Sequence, residues 1–423
     1  MGQTLAEKLI ARAAGKDSVK PGETVTAQVD LAMMHDSSGP RRFEPILERL
    51  GAKVWDPDKI VLVSDHWVPA VDAQSAQILD QTRRWAFAND VKAFYDMVGI
   101  CHVVLPQGGH LKPGMFVVGG DSHSTTGGAF GCYMFGVGST DMAGVLVTGE
   151  TWIRVPESIR IEWKGKLGPG VCAKDINLAL CKALGLGGAE YRTVEYTGEL
   201  IDDLTMEERM TLSNMAAELG AQAGLIAPDQ TTASYIRDAG GDPGEIDPWQ
   251  SDADAEYFAS HTFDGSALEP LVAAPHSPAN TAPASSYEGI KIDQAYIGAC
   301  TGAKLADLRM AAEVLEGRQV ASRSRLLVAP ASRQDMMAAQ DDGTLSKLMA
   351  AGAVMMPTGC GACAGFGGGV LHENEVCISS TSRNFQGRMG AQSSKVYLGS
   401  PYSVAAAAVA GEIRDPREFL NGS

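Results

Sequence analysis

The segment PTGCGACAGFGGG (357–369) places Cys360 and Cys363 three apart on a backbone that is almost all glycine and alanine. Thiols at this spacing admit several chemistries. Free cysteine is often buried, so the pair could be two small hydrophobes. A redox dithiol would want a thioredoxin-like context, and none surrounds it. Structural zinc wants four ligands, and there is no second CxxC. The glycines point to a fourth reading, because backbone without side chains lets a bulky inorganic ligand approach closely. Cys300 also sits in a Gly-rich turn, GACTGAK, at the end of a short apolar run. Three thiolates from two turns suit a cuboidal iron–sulfur cluster. One iron then lacks a cysteine, which is the open position a Lewis acid needs. Cys377 would close that position and make an electron carrier, although its setting in EVCISS favours burial.

A second set of residues suits proton transfer. SDH supplies Asp65 and His66, GICH supplies His102, and GGDSHS supplies Asp121, Ser122 and His123. A single histidine is usually structural. Several with acidic neighbours suit acid–base work, because a carboxylate beside a ring orients it and sets its charge. Asn214 and Glu218 are four apart in TMEERMTLSNMAAELGAQAGL (205–225), which reads as a helix and would put both on one face. A glutamate among Met, Ala and Leu is paired, functional, or snorkelling to the surface. SRNFQGR brings Arg383 and Arg388 into one turn, either a solvated pair or two forks for carboxylates.

These residues recur in one layout. KIVLVSDH (59–66), MFVVGGDSHSTTGG (115–128), AYIGACTGAK (295–304), AVMMPTGCGAC (353–363) and EVCISSTSRNFQGR (375–388) are each a short apolar run ending in reactive side chains. Such runs read as buried parallel strands. Open α/β sheets build their sites at strand carboxyl ends, so one cleft fed by several strands is expected. Helical patterns lie between the runs, at 75–99, 205–225 and 305–317. Alternation at 154–167 suggests an edge strand opening a new unit, and 268–287 is rich in Pro, Ala and Ser, as a linker would be. The expected division is 1–153, 154–270, a linker at 271–287, and 288–423 carrying the cysteines.

The chain's 423 residues suffice for two or three domains. A net charge of −16 argues against a nucleic-acid partner but not against a small anion, which needs only local cations. Eight cysteines are too few for a disulfide scaffold at this length. No apolar run is long enough for a membrane span, and no signal-peptide pattern opens the chain, so a cytoplasmic location is expected. The start, MGQTLAEKLIARAAGKDSV, reads as an amphipathic helix.

IGACTGAKLADLRMAAEVL, TGCGACAGFGGGVL and CISSTSRNFQGRMG resemble the three signature regions of the aconitase superfamily. GICHVVLPQGGHLKPGMFVVGGDSHSTTGGAFG and TMEERMTLSNMAAELGAQAGLI are similar to its other motifs, so the resemblance runs nearly end to end. Within the superfamily the chain most resembles large subunits of the 3-isopropylmalate dehydratase type, in length, in VDLAMMHDSSGP and in SPYSVAAAAVAGEIRDP. The resemblance implies a three-domain α/β body, layered α/β/α, with a 4Fe-4S cluster in a central cleft. The cluster would be held by Cys300, Cys360 and Cys363, one iron being free of cysteine. Asp65–His66, His102–Asp121 and His123–Glu218 would be the acid–base pairs. Asn214 would hydrogen-bond the cluster. Ser122, Arg383 and Arg388 would hold substrate carboxylates, with His35 where the aconitases have a substrate-contacting Gln.

The implied reaction is reversible dehydration of a small hydroxy dicarboxylic acid, with 3-isopropylmalate first. Dimethylmalate, citramalate, maleate and homoaconitate hydro-lyases are alternatives, and a cluster-bearing iron sensor is a further one. The superfamily's swivelling fourth domain, which carries the catalytic base, has no counterpart in these residues. It is expected on a separate small subunit. Two departures stand out. Ala299-Cys300-Thr301-Gly302 replaces the usual Ser-Cys-Thr-Asn, and Ser382 replaces an Asn before the first arginine.

Overall fold

The computed structural model describes residues 2–420. Its first large sheet has five parallel strands in the order Ala93–Asp96, Ile60–Ser64, Leu31–His35, Phe116–Gly119 and Tyr133–Gly136. The three central strands are buried along their whole length, which explains their unbroken apolar sequence. Because all run the same way, the turns after His35, Ser64 and Gly119 share one edge. Thr24–Gln28 and Glu150–Arg154 form a separate antiparallel ribbon.

A seven-stranded sheet lies at the other end of the chain. Its order is Thr281–Pro283, Leu271–Ala273, Lys395–Gly399, Val376–Ser379, Gln294–Ile297, Arg325–Val328, Val354–Met355. The last five are parallel, so the turns carrying Cys300, Cys360 and Arg383 also share an edge. The first two are antiparallel additions, which corrects the expected linker at 271–287. Pro283 sits at the end of the outermost strand, where a missing N–H costs no ladder bond.

Between these, Ala223–Ile226, Thr193–Thr197, Ser158–Lys164 and Ala259–Asp264 form a four-stranded parallel sheet. Ser158–Lys164 is interior to it, not an edge strand as its alternation suggested. Two helical expectations are shortened. The pattern at 75–99 ends as helix at Ala88 and continues as strand Ala93–Asp96. The pattern at 205–225 ends as helix at Met215, and strand Ala223–Ile226 comes after a turn. The helices Leu5–Ala13 and Leu305–Leu315 form where expected, the former closed by a Thr4/Glu7 capping box.

The two large sheets are stitched together at their reactive edges. Ile100 donates its N–H to Ala331 O (2.8 Å), Arg333 donates to Val98 O (2.7 Å), and Cys360 donates to Asp65 O (2.8 Å). Gly99 permits this approach. It has φ +151°, and a Cβ there would lie 2.6 Å from Ser332 Cα. One core cluster accordingly joins Met33 and Val61 of the first sheet to Ile297 and Ile378 of the second. Among the described residues no helix is long and apolar enough to cross a membrane.

Candidate active site

The facing edges enclose a cavity of about 230 Å³. His66, His102, Asp121, Ser122 and His123 line it from one side, and Cys300, Cys360, Cys363, Ser382, Arg383 and Arg388 from the other. Residues drawn from five separate strand ends thus meet at one point.

Cys300 comes after the strand Gln294–Ile297, and Ala299 between them has a φ of +70° that turns the chain sharply into the site. Asn214 Nδ2 donates to Cys300 Sγ at 3.2 Å, and Lys304 Nζ donates to Cys300 O at 2.9 Å. Cys360 and Cys363 sit on a tight turn, with Cys363 N–H donating to Cys360 O (3.1 Å) and Gly361 at φ +50°. Cys377 is wholly buried in the strand Val376–Ser379 and does not reach the cavity.

The three thiols fit a metal-centred group. Burial, reinforced by Cys363, pushes Cys300 up to about 12. Burial and the neighbouring Asp65 carboxylate raise Cys360 as well. Without a metal Cys300 and Cys360 stay protonated, whereas a metal would hold its cysteine ligands as thiolates. Two buried polar atoms beside them, Arg388 Nε and Asn214 Oδ1, have no protein partner. Glycines at 359, 361, 365, 367, 368 and 369 keep side chains off the approach.

The histidines are each held by a carboxylate. His66 Nδ1 lies 2.6 Å from Asp65 Oδ1, and Asp65 Oδ2 accepts the Cys101 N–H (2.7 Å). Burial alone would raise Asp65, but His66 outweighs it and brings the carboxyl down to about 2. Asp121 Oδ1 accepts from His102 Nε2 (2.9 Å) and from the His123 backbone N–H (2.8 Å). These bonds overcome burial and keep Asp121 well below the usual carboxylate range. Burial lowers His102, which therefore favours the neutral ring. Glu218 Oε1 lies 3.1 Å from His123 Nε2 and accepts from Arg383 Nε at 2.5 Å. Burial opposes charge on His123, but Glu218 prevails and its pKa is raised. Glu218 is lowered in turn, His123 and Arg383 outweighing its burial.

All fourteen residues singled out in the sequence converge here, at two depths. Asp65, Glu218 and Asn214 stand behind the wall and orient those that form it. Glu218 is not on a helix face with Asn214, because the helix stops at Met215 and a turn carries Glu218 to His123. His35 is also set back: its ring stacks on His66 at 4.0 Å, with Nε2 3.6 Å from Asp121 Oδ2. Burial works against its charge, but Asp121 and Asp36 raise it to about 10.

Sequence reasoning missed Asp36, which is fully buried and accepts the N–H groups of His66 (3.0 Å) and Trp67 (2.9 Å). A signal existed, since VDLAMMHD is another apolar run ending in His-Asp. It also missed that the second departure reaches the acid–base residues. Ser382 Oγ lies 3.1 Å from His123 Nε2. Gly302 has its would-be side-chain space filled by Ser380, whose Oγ would sit 2.2 Å from a Cβ there.

Three cysteines and three histidine–carboxylate pairs on the facing edges of two parallel sheets define a class: α/β proteins that bring thiols and histidine–carboxylate pairs to one cavity. The profile of the Aconitase family (aconitate hydratase) matches residues 7–411, and the chain belongs to that family. It is 46% identical to "3-isopropylmalate dehydratase large subunit 1" of Methanopyrus kandleri, over 99% of this chain and 100% of that one. It is 45% identical to "Probable methanogen homoaconitase large subunit" of Methanothermobacter thermautotrophicus, over 98% and 97%. The "3-isopropylmalate dehydratase large subunit" of Aquifex aeolicus is 44% identical over 99% and 98%. Among solved structures, aconitase X of Thermococcus kodakaraensis shares the fold, with a TM-score of 0.52 at 14% identity over 85% of this chain and 84% of that one.

Proposed function

We propose that this chain is the large subunit of a hydro-lyase that reversibly dehydrates a small hydroxy dicarboxylic acid, with 3-isopropylmalate as the first candidate. One observation carries the reading: two arginines, three histidines and three cysteines line the same small cavity. Full-length similarity to the dehydratase large subunits supports the substrate.

In this reading Cys300, Cys360 and Cys363 hold a 4Fe-4S cluster with one iron not bound by cysteine. When bound, that cluster supplies a Lewis acid that polarises a hydroxyl. The chain's own residues do the rest. Arg388, with an unpaired buried Nε, offers a guanidinium fork to a substrate carboxylate, and Arg383, whose Nε is held by Glu218, turns its remaining N–H groups to the same cavity. His123, whose pKa the contact with Glu218 raises against its burial, is the residue placed to keep a proton at the wall for the departing oxygen. Asp121 fixes His102 through Nε2, and Asp65 fixes His66 through Nδ1. The small size of the cavity limits water around the reacting atoms.

The relatives' names, as large subunits, support a small-subunit partner. We assign it the base that removes the carbon-bound proton, together with contacts that choose the substrate. The 45% identity to a homoaconitase large subunit favours homoaconitate as the second reading. The deciding experiment pairs the iron-loaded chain with its co-purifying small subunit. Absorbance of the enoic product is monitored with 3-isopropylmalate, homoaconitate, dimethylmalate, citramalate and malate. Turnover of 3-isopropylmalate well above the others is expected. No turnover of any diacid, with a full cluster and partner present, would overturn the hydro-lyase reading.

A further inference from the structure

Lys174 lies in the first turn of the helix Ala173–Leu184 and is 1% exposed. Its ammonium donates to the carbonyl oxygens of Ser380 (3.0 Å) and Thr381 (2.5 Å) and lies 3.4 Å from Thr301 Oγ1. All three acceptors are neutral, and Lys174 makes no ion pair among the described residues. A buried charge without a counter-ion is strongly unfavourable. Lys304 shows the usual remedy. It is equally buried, yet its ammonium pairs with Asp307 at 2.8 Å as well as bonding Cys300 O and Thr211 Oγ1.

Two carboxylates lie nearby among the described residues, and neither forms an ion pair with Lys174, although the field of Glu218 reaches it. Asp175 accepts the N–H groups of Cys172 (2.9 Å) and Leu271 (2.8 Å). Glu218 serves His123 and Arg383. The other acidic groups whose fields reach Lys174 are the thiols of Cys363, Cys172 and Cys300, and two of these line the cavity. Thr301 is the residue directly after Cys300, and Ser380 and Thr381 lead directly into Ser382 and Arg383. Lys174 thus stands behind the site, where the cysteine turn and the arginine loop meet.

We propose that Lys174 is the buried counter-charge of the three-cysteine site, its ammonium balancing the negative charge of the group that Cys300, Cys360 and Cys363 hold. The proposal rests on the cluster reading, since a four-iron cluster on three thiolates is a net anion. Burial brings the lysine down to about 8, so it remains mostly charged at neutral pH. Lys174 is a positioning residue and does not touch substrate.

The prediction separates charge from structure. Lys174→Gln keeps donors for the Ser380 and Thr381 carbonyls but removes the charge, and Lys174→Arg keeps the charge. Each protein is prepared iron-free and anaerobically loaded, and its melting temperature is taken in both states. The reduction potential is measured on the loaded form by EPR-monitored titration. Loading is expected to raise the melting temperature less in the Gln variant than in wild type. The Gln potential should fall by at least a tenfold change in equilibrium, about 59 mV for a one-electron couple, with Arg near wild type in both. Failure of the Gln variant to hold iron, with its iron-free melt unchanged and Arg loading normally, also supports the assignment. An unchanged loading increment and potential would overturn it. So would a Gln variant that cannot fold iron-free while Arg can, because Lys174 would then be a structural tie. Wild type that takes up no cluster at all would instead refute the cofactor reading.

Discussion

Cys360 donates its backbone N–H to the carbonyl oxygen of Asp65 at 2.8 Å. The thiol-bearing turn of the seven-stranded sheet is thereby tied to the turn of the five-stranded sheet that carries the Asp65–His66 pair. Displacing one turn displaces the other.

The cysteines should divide into two kinds. Cys300→Ser, Cys360→Ser and Cys363→Ser are each expected to abolish stoichiometric iron binding after anaerobic reconstitution. Cys377→Ser, whose thiol lies away from the cavity, should bind iron as wild type does, at some cost in stability for a buried hydroxyl. Iron and sulfide analysis with EPR distinguishes the outcomes. With one iron free of thiolate, as proposed, air exposure should produce the EPR signal of a three-iron cluster, reversed by ferrous iron and reductant. Zinc without iron in anaerobically purified protein would refute the assignment.

Arg383 makes two contacts at once, Nε to Glu218 at 2.5 Å and Nη1 to Ser122 Oγ at 3.1 Å. A lysine ammonium cannot reproduce that fork. Arg383→Lys and Arg388→Lys are expected to retain iron but lose at least about tenfold in kcat/KM, or about 1.4 kcal/mol of transition-state stabilisation. Steady-state kinetics of the complex with the proposed small subunit measures this. Wild-type kinetics in Arg388→Lys would make that arginine a bystander.

Acid should weaken the fold partly through Asp65. Its folded pKa of about 2 is below the ordinary carboxylate value, so its contribution is present above about pH 4 and lost as pH falls through about 2. The full contribution is on the order of 2 kcal/mol. Urea unfolding of the iron-free protein between pH 5 and pH 3, in steps of about one unit, should show a shallower acid limb for Asp65→Asn than for wild type. His35 has the opposite sign. Raised to about 10, it contributes fully below its ordinary value and loses that contribution as pH rises through about 10.

Gly302 should not tolerate a side chain. A Cβ would lie 2.2 Å from Ser380 Oγ and 2.6 Å from the Ser380 carbonyl oxygen. Gly302→Asn is expected to cost roughly 1–3 kcal/mol by overpacking. Adding Ser380→Gly should recover only part of the loss, since the carbonyl contact stays. Denaturant midpoints of the single and double variants test this, and an undamaged single variant would show that the turn is looser than its geometry.

The five strand-end turns were legible in the sequence for a physical reason. A strand buried on both faces must be apolar throughout, so it stands out, and the turn after its last residue lies at the sheet edge. The three cysteines, His66, His123 and both arginines were found this way, whereas His102 was read from GICH and His35 from the family resemblance alone. The same logic reached the helix Leu305–Leu315 and the N-terminal helix. It failed where local pattern and tertiary placement part. Asn214 and Glu218 look like one helix face, but the chain leaves the helix at Met215 so that strand Ala223–Ile226 can enter its sheet. Residues 271–287 look like a linker, because Pro, Ala and Ser report weak local preference and not the open sheet edge that recruits them.

The amino-acid sequence by itself determined which residues could do chemistry and that they sit at strand ends. Only the tertiary structure decided that two different sheets face each other, that His35 lies beneath His66, and that Asp36 and Lys174 are buried rather than solvated. A charged residue reads the same in sequence wherever it goes. What makes it functional is which distant groups satisfy or fail to satisfy it, and those partners come from strands far apart in the chain.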